Sequence, residues 1–256
     1  MSNCIIWEEM KSSEIKERAS QNAIVIIPVG SIEQHGPHLP VGTDAIIATA
    51  IARKTAERLV QSGIPAVVTP TVWMGISAHH MMFPGTVAVG HNVFSDLLYQ
   101  LCTCIKHHGF LRVVLLNGHA GNDSSLKVAV SEINRMMGRP VFVMTYWDTA
   151  RRELQDILED QKTIRHACEA ETSMMLALKP ELVGPFTGLT GPDQPDPEEL
   201  TSGVAYTFRT FEHRTKIGVI GNATSASKEK GERILNVLTE NLSKFLSRSS
   251  LWEITL

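Results

Sequence analysis

The sequence lacks the features that direct a chain into a membrane, across one or onto a nucleic acid. No stretch approaches the roughly 18 apolar residues that a membrane-spanning helix needs. The N-terminal segment lacks the basic start and long apolar run of a secretory signal peptide, so we expect a cytoplasmic location. The net charge of −3 gives no electrostatic basis for a nucleic-acid or anionic-membrane partner.

Cysteine is scarce, and its spacing does not indicate a disulfide framework. The four cysteines are Cys4, Cys102, Cys104 and Cys168. They form no CxxC pair and no disulfide-like spacing. We expect reduced thiols in or near the core, with metal binding or redox chemistry as the alternative.

Two common enzyme motifs are also absent. No GxGxxG follows the first predicted strand, and Glu33 stands where a pyrophosphate would need bare backbone. A dinucleotide-binding oxidoreductase is therefore a poor interpretation. No GxSxG turn occurs either, which disfavours a serine hydrolase.

The composition is that of an ordinary globular protein. The chain has 256 residues, of which 43% are hydrophobic and 20% charged, so disorder and low complexity are disfavoured. This length is common for one α/β domain, and no repeat or composition break divides it. We therefore expect residues 1–256 to form a single domain.

Short apolar runs alternate with helical patterns along the chain. Runs that predict buried strands cover residues 23–30, 65–70, 111–117 and 140–146. Helical patterns cover residues 43–62, 92–109, 124–138, 149–161, 169–178 and 227–247. Residues 184–203 are rich in Pro and Gly and predict a long loop. The alternation predicts an α/β fold with a mostly parallel sheet covered by helices on both faces.

Carboxylate and imidazole side chains are concentrated after two of the predicted strands. Glu33, His35, His38 and Asp44 follow the first strand, and His119 follows the third. Ligands bind outside the carboxyl ends of the strands in open parallel sheets. Carboxylate oxygen and neutral imidazole nitrogen are ligands that zinc, manganese and related ions accept. The pattern predicts a metal site, provided that the two strands are neighbours.

The spacing within the first loop fits this interpretation. Glu33 and His35 are two residues apart, so they project to the same side of an extended segment. Asp44 has a carboxylate that can bridge two ions, one on each oxygen. Two alternatives remain open: a solvated turn for the Glu-Gln-His segment, and a simple helix cap for Asp44.

Five segments, in order, resemble the creatininase (creatinine amidohydrolase) family. Residues 29–44, VGSIEQHGPHLPVGTD, are similar to its long signature. The other four segments are FPGT at 83–86, NGHAGN at 117–122, HACEAETS at 166–173 and TSASKEKG at 224–231. The first segment is long and specific, and the ordered set makes the resemblance strong.

The resemblance implies a three-layer α/β/α fold, a two-metal site and hydrolysis of a non-peptide C–N bond in a small molecule. It implies two divalent ions, zinc or manganese with iron as a further possibility, and a homo-oligomer that is often a hexamer. The positions that match family metal ligands are Glu33, His35, Asp44, which would bridge the ions, His119 and Glu171. His166 matches a histidine near the substrate.

Three positions depart from the family pattern. Creatinine-hydrolysing members carry a metal-binding Glu where this chain has Gly121, which argues against creatinine and favours Glu171 as the replacement ligand. Cys168 replaces a usual Gly, and His79 stands where many members have Glu. We therefore expect a different substrate, although creatinine hydrolysis proper stays an alternative.

Two divalent ions would lower the pKa of a water held between them, and the resulting hydroxide would attack the substrate carbonyl. We expect His166 to protonate the leaving nitrogen, with Glu169 as the weaker alternative. Residues that follow strand ends are candidates for the pocket wall, with ordinary core packing as the alternative: Trp73, Met74, Met81, Met82 and Trp147. A non-catalytic binding protein on the same scaffold is the competing hypothesis.

Overall fold

A parallel sheet of four strands forms the centre of the computed structural model, which describes residues 4–138, 140–194, 196–201 and 203–254. The strands are β1 Ile24–Val29, β2 Ala66–Val68, β3 Arg112–Asn117 and β4 Val141–Thr145, in the order β2-β1-β3-β4. Each lies within a predicted run. β1 and β3 are hydrogen-bonded neighbours although β2 separates them in sequence, so their carboxyl ends lie side by side.

Helices connect the strands and cover the sheet. They are α1 Ser12–Ser20, α2 Thr43–Gln61, α3 His91–His107, α4 Asp123–Met137, α5 Arg151–Ile157, α6 Glu169–Leu178, α7 Glu198–Thr201 and α8 Lys228–Leu246. Sequence analysis missed α1, which buries none of its residues and so has little apolar periodicity. α5 is shorter than the predicted 149–161 because Tyr146–Ala150 forms a 3-10 turn first. Among the described residues, no helix has both the length and the apolar character needed to cross a membrane.

Successive residues of the strands face opposite helical layers. Ile24 and Ile26 of β1 pack in the core formed with α2, α6 and α8. Val25 and Ile27 pack in the second core, formed with α3 and α4. All six residues of β1 are buried, as expected for a central strand covered on both faces. The three-layer α/β/α fold predicted from the sequence is confirmed.

Close contact between α2 and the strand ends depends on two glycines. A Cβ at Gly30 would lie 2.6 Å from the Cα of Ala45, and one at Gly118 would lie 2.8 Å from the Cβ of Ala48. Any other residue at these positions would push the first turns of α2 away from β1 and β3. The small residues therefore bring the N-terminus of α2, with Asp44, against the loops that leave the two strands.

Replacing Gly30 with alanine is expected to lower the free energy of unfolding by about 1–3 kcal/mol, because the added methyl overpacks a contact with backbone. Urea-induced unfolding measures the change. Gly90→Ala is the matched control, since its Cβ would meet no atom within 4 Å, and it should change stability by at most about 0.5 kcal/mol. Equal stabilities for the two variants would contradict the proposed packing constraint.

Candidate metal centre

Five of the residues singled out in the sequence come together at the carboxyl ends of β1 and β3. They are Glu33, His35, Asp44, His119 and Glu171. The first two lie in the loop after β1, the third in the first turn of α2, the fourth just after β3 and the last in the first turn of α6. None is more than 5% exposed. Because β1 and β3 are neighbouring strands, the loops that follow them meet, which was the condition for the predicted metal site.

Asp44 lies between two histidines. Its Oδ1 is 3.1 Å from Nε2 of His35, and its Oδ2 is 3.0 Å from Nδ1 of His119. The N-cap residue of α2 is Gly42, so Asp44 is not the cap of this helix. Its two oxygens instead serve two different loops, which is the arrangement of a bridging carboxylate.

Glu33 is held by a residue that sequence analysis did not assign. Oε2 of Glu33 accepts a hydrogen bond from Oγ of Ser77 at 2.6 Å and lies 3.2 Å from Nε2 of His119. Ser77 also contacts Oγ of Ser31, so a small buried hydroxyl pair orients the carboxylate. Oε1 of Glu33 lies 3.2 Å from Nε2 of His80. Ser77 and His80 match the family pattern in sequence, but no periodicity predicts their contact with Glu33, because they lie at and within a short 3-10 turn, Ala78–His80.

His35 is oriented by its own loop. Its Nδ1 donates to the carbonyl of Glu33 at 3.1 Å, which leaves Nε2 facing Asp44 and, at 3.8 Å, Oε2 of Glu171. The same Oε2 accepts from the backbone N–H of Ala167 at 2.6 Å. Ala167 has a φ of 51°, a left-handed conformation that an alanine rarely adopts. The chain thus accepts local strain where it aims Glu171 at the cluster.

His166 lies beside these residues with one nitrogen facing them. Its Nε2 donates to the carbonyl of Gln34 at 2.8 Å, and its Nδ1 lies 3.6 Å from Oε1 of Glu33. Its ring is 4.3 Å from that of His35. Because the Nε2 hydrogen is used by Gln34, Nδ1 is the atom available for proton exchange.

Glu169 is not brought into the cluster. It is fully buried, and its carboxylate accepts from Nζ of Lys230 at 2.6 Å and from the backbone N–H groups of Glu159 and Asp160. Residues two apart on a helix point to different sides, so Glu171 faces the cluster while Glu169 faces away. Its contacts tie α6 to α8 and to the segment before it.

The cluster concentrates charge in a buried volume. Burial raises the pKa of Glu171 to about 8 and that of Glu33 to about 7, although nearby imidazoles oppose the rise. Burial opposes charging of His35 and His119, but the carboxylates, chiefly Asp44 and Glu33 respectively, outweigh it and raise their pKa values to about 10 and 9. Burial also opposes ionisation of Asp44, yet His35 and His119 hold its pKa well below its usual range.

His166 differs from the other two histidines. Burial and then the charge of His35 hold the pKa of His166 well below its usual value. Its ring is therefore neutral at neutral pH. His35 and His119 must lose their protons to bind a metal ion, because only a neutral imidazole nitrogen is a ligand.

The residues fit a divalent metal centre. Oε1 of Glu33 and Oδ2 of Asp44 are buried within 3.2 Å of an imidazole nitrogen, but neither accepts a hydrogen bond of regular geometry from the described residues. An unpartnered buried carboxylate oxygen is costly unless a cation or proton occupies its other side. Ligand atoms of Glu33, His35 and Asp44 lie within 4.8 Å of one another, as do those of His35, His166 and Glu171. The donors are the oxygen and nitrogen types that zinc and manganese take.

A pocket of about 230 Å³ opens onto the cluster. Its walls beyond the cluster include Trp147, Ile164, Phe211 and Ile220. Of the five wall candidates named from the sequence, only Trp147 lines this pocket. Three of the others are exposed at the surface: Trp73, Met81 and Met82. They follow strand ends in sequence, but the irregular segment carries them away from the cluster.

Gly121 has no empty space above it. A Cβ there would lie impossibly close to Nε2 of His119 and the carbonyl of Ile76, and 2.9 Å from Cε1 of His79. The rings of His79 and His119 are stacked, with centroids 5.8 Å apart. The two departures from the family pattern, Gly121 and His79, are therefore in contact, and the imidazole lies where a longer side chain at 121 would have to pass.

Fold and site together define an α/β protein with a buried carboxylate–imidazole centre suited to divalent metal. The family model "Creatininase: Creatinine amidohydrolase" matches residues 8–246. A mycofactocin precursor peptide peptidase of Mycobacterium tuberculosis is 31% identical over 252 residues, covering 94% of this chain and 91% of that protein. The chain belongs to the creatininase family.

Other relatives have different substrates. A 3-dehydro-scyllo-inosose hydrolase of Thermotoga maritima is 29% identical, over 94% of this chain and 82% of that protein. A creatinine amidohydrolase of Pseudomonas putida is 28% identical, over 94% of this chain and 96% of that protein. All are hydrolases, so this chain is a hydrolase of a family that acts on C–N bonds. The named relatives leave its own substrate open.

Solved structures agree with this assignment. A crystal structure of creatininase superposes with a TM-score of 0.84 at 26% identity, covering 99% of this chain and all of that one. A mutant creatininase of Zn-Zn type gives a TM-score of 0.82 at 27% identity, over 96% and 98% of the two chains. A manganese form gives 0.81 at 27% identity, over 95% and 98%. One of these creatininase structures is thus a zinc form and another a manganese form.

Glu169→Gln and Glu171→Gln form a matched pair on one helix. We expect Glu169→Gln to lower the free energy of unfolding by about 3 kcal/mol, because it breaks a buried ion pair with Lys230, and to keep its metal. Glu171→Gln should instead lower the metal content per chain. Plasma emission spectrometry and urea unfolding measure the two effects. The reverse pattern, with metal lost only in Glu169→Gln, would contradict this division of roles.

Proposed function

We propose that this chain is a dinuclear metal-dependent amidohydrolase that cleaves a non-peptide C–N bond in a small molecule. Glu33 and His119 would hold one ion, His35 and Glu171 the other, and Asp44 would bridge them. Zinc and manganese are the metals we expect, with iron as a further possibility. The contact of each Asp44 oxygen with a different histidine is the observation that carries the proposal.

The grouping follows from the contacts of the described residues. His119 approaches Glu33 and one oxygen of Asp44, whereas His35 approaches the other oxygen and Glu171. Each set combines carboxylate and imidazole donors, and only Asp44 is common to both. A bound pair of divalent ions would supply a Lewis acid and would lower the pKa of a water towards about 7.

His166 would move the proton that amide cleavage requires. Its Nδ1 faces the cluster, and its Nε2 is fixed on the carbonyl of Gln34. A neutral ring can take a proton at Nδ1 from the attacking water and return it to the leaving nitrogen. Phe211 packs against this ring, with the two ring centroids 4.7 Å apart. Glu169 has no part in this scheme, since its carboxylate contacts Lys230.

The volume and walls of the pocket support a small substrate. About 230 Å³ suits a molecule of modest size, and the aromatic and aliphatic walls would hold its apolar part. Trp147 and Phe211 offer flat surfaces for a ring or a planar amide. Cyclic amides, lactams and formamides are the classes to screen first.

We also propose a cytoplasmic homo-oligomer, a hexamer by family resemblance. Trp73, Met81 and Met82 are between 47% and 68% exposed, which is unusual for large apolar side chains so close in sequence. A contact with another copy would cover them. Light scattering coupled to gel filtration measures the mass of the assembly.

Protein purified without chelators is expected to contain close to two divalent ions per chain and to hydrolyse at least one class of the amide panel. His35→Ala and His119→Ala should each lose at least one ion, because each removes one imidazole ligand from a different set. His107→Ala, on the surface end of α3, is the control and should bind metal normally. Metal-free protein as purified would overturn the proposal, and bound metal without turnover would favour a binding protein.

His166→Gln is expected to keep both ions and to lower kcat by about 100-fold or more, since general acid–base catalysis contributes about 10²–10⁴-fold. Glutamine can still hydrogen-bond but exchanges no proton. His107→Gln is the control. Metal analysis beside steady-state kinetics separates the two readouts, and an unchanged kcat would remove His166 from the mechanism.

A further inference from the structure

Two arginines line the pocket outside the metal centre. Arg165 and Arg214 are charged wall residues that the proposed centre does not use. Among the described residues, the acidic side chains on the same wall are the three that belong to the cluster: Glu33, Asp44 and Glu171. Once those carboxylates bind divalent ions, the pocket has a surplus of positive charge.

Arg214 is held in place but is not enclosed. Its Nη2 contacts Asp196 at 2.8 Å, and 25% of its side chain is exposed. Asp196 is shared, because Nη1 of Arg209 also binds it at 2.7 Å. An arginine held in this way can still accept a planar anion.

Arg214 is also joined to the catalytic side of the pocket. Its guanidinium lies 5.1 Å over the ring of Phe211, and that ring is 4.0 Å from the ring of His80. After burial and His119, the charge of Arg214 is the next cause that lowers the pKa of His79, which places this charge close to the centre. The stacking fixes the guanidinium while the pocket stays open beside it.

Arg165 is weakly held by comparison. Among the described residues its ion-pair contact is with Asp193 at 3.9 Å, and 39% of its side chain is exposed. It immediately precedes His166, and both residues line the same pocket. A partly exposed cation beside a more firmly held one is an arrangement suited to capture of an anionic ligand.

We propose that the substrate carries a carboxylate or equivalent anion, which Arg214 binds, assisted by Arg165, while the scissile amide lies at the metal centre. The inference rests on the proposed function and adds the chemical class of its substrate. N-acylated amino acids and ring-closed amides that bear a carboxylate belong to this class. Neutral lactams of the same size lack the group that these arginines recognise.

The probes are N-acetylglycine and N-acetylglycinamide, which share one amide and differ in the carboxylate. Calorimetry on the metal-loaded protein should show N-acetylglycine binding at least about tenfold more tightly. Arg214→Met should abolish the preference, and Arg165→Met should reduce it. Arg135→Met, a surface change of equal charge on α4, should leave it intact. Metal content and circular dichroism are measured for each variant.

A preference that survives in both Arg165→Met and Arg214→Met would overturn the inference, because the carboxylate would then be held by metal alone. Equal binding of the two probes, or no measurable binding of either, would overturn it as well. If loss of the Asp196 contact unfolds Arg214→Met, the test rests on Arg165→Met and Arg214→Lys, and the lysine variant should keep part of the preference.

Arginine-dependent binding without turnover of any amide would leave the inference standing and remove the proposed function. Turnover of neutral and anionic amides without arginine dependence would do the reverse.

Discussion

The carboxylate of Asp44 lies between His35 and His119, with its oxygens 3.1 and 3.0 Å from the two rings. This contact requires the first turn of α2 to meet the loops of both β1 and β3. Asp44, Ile47 and Ile51 lie at the spacing of one helix face, and both isoleucines are buried in the core. Burial of the apolar face therefore aims Asp44 at the strand ends. The hydrophobic core and the polar site are parts of one packing arrangement.

Bringing these side chains together buries several charged groups, which is unfavourable without compensation. Three carboxylates lie within the same volume, and Oε1 of Glu33 and Oδ2 of Asp44 accept no hydrogen bond of regular geometry from the described residues, although imidazole nitrogens lie close to both. Without metal, protons on His35 and His119 offset part of the negative charge. Divalent ions would replace those protons and bind the unpartnered oxygens. The cluster is thus more stable with cations than without them, which is a physical reason for its residue types to occur together.

The helices, the strands and the loops that follow them could be predicted from the sequence. Apolar runs mark the regular elements, and Gly and Pro residues mark where they end. The position of His119 beside Glu33 could not, since it depends on β3 pairing with β1 rather than with β2. Ser77 and His80 were missed as partners of Glu33 because the segment between β2 and α3 has no periodicity. The different surroundings of Glu169 and Glu171 could not be predicted either, because they depend on which way each side chain points from α6. Local pattern predicted the elements, whereas long-range packing decided the contacts.

Gly121 and His79 illustrate how one packing change alters chemistry. A glutamate at 121 would require both the carbonyl of Ile76 and the ring of His79 to move. In the proposed dinuclear centre, Glu171, which lies 3.8 Å from His35, would supply a carboxylate from another side. With glycine at position 121 and an imidazole at position 79, this wall of the pocket has less negative charge than it would have with carboxylates there. Two arginines on the same pocket change its charge in the same direction, so the departures from the family pattern and the pocket cations favour the same kind of substrate, one that brings its own negative charge.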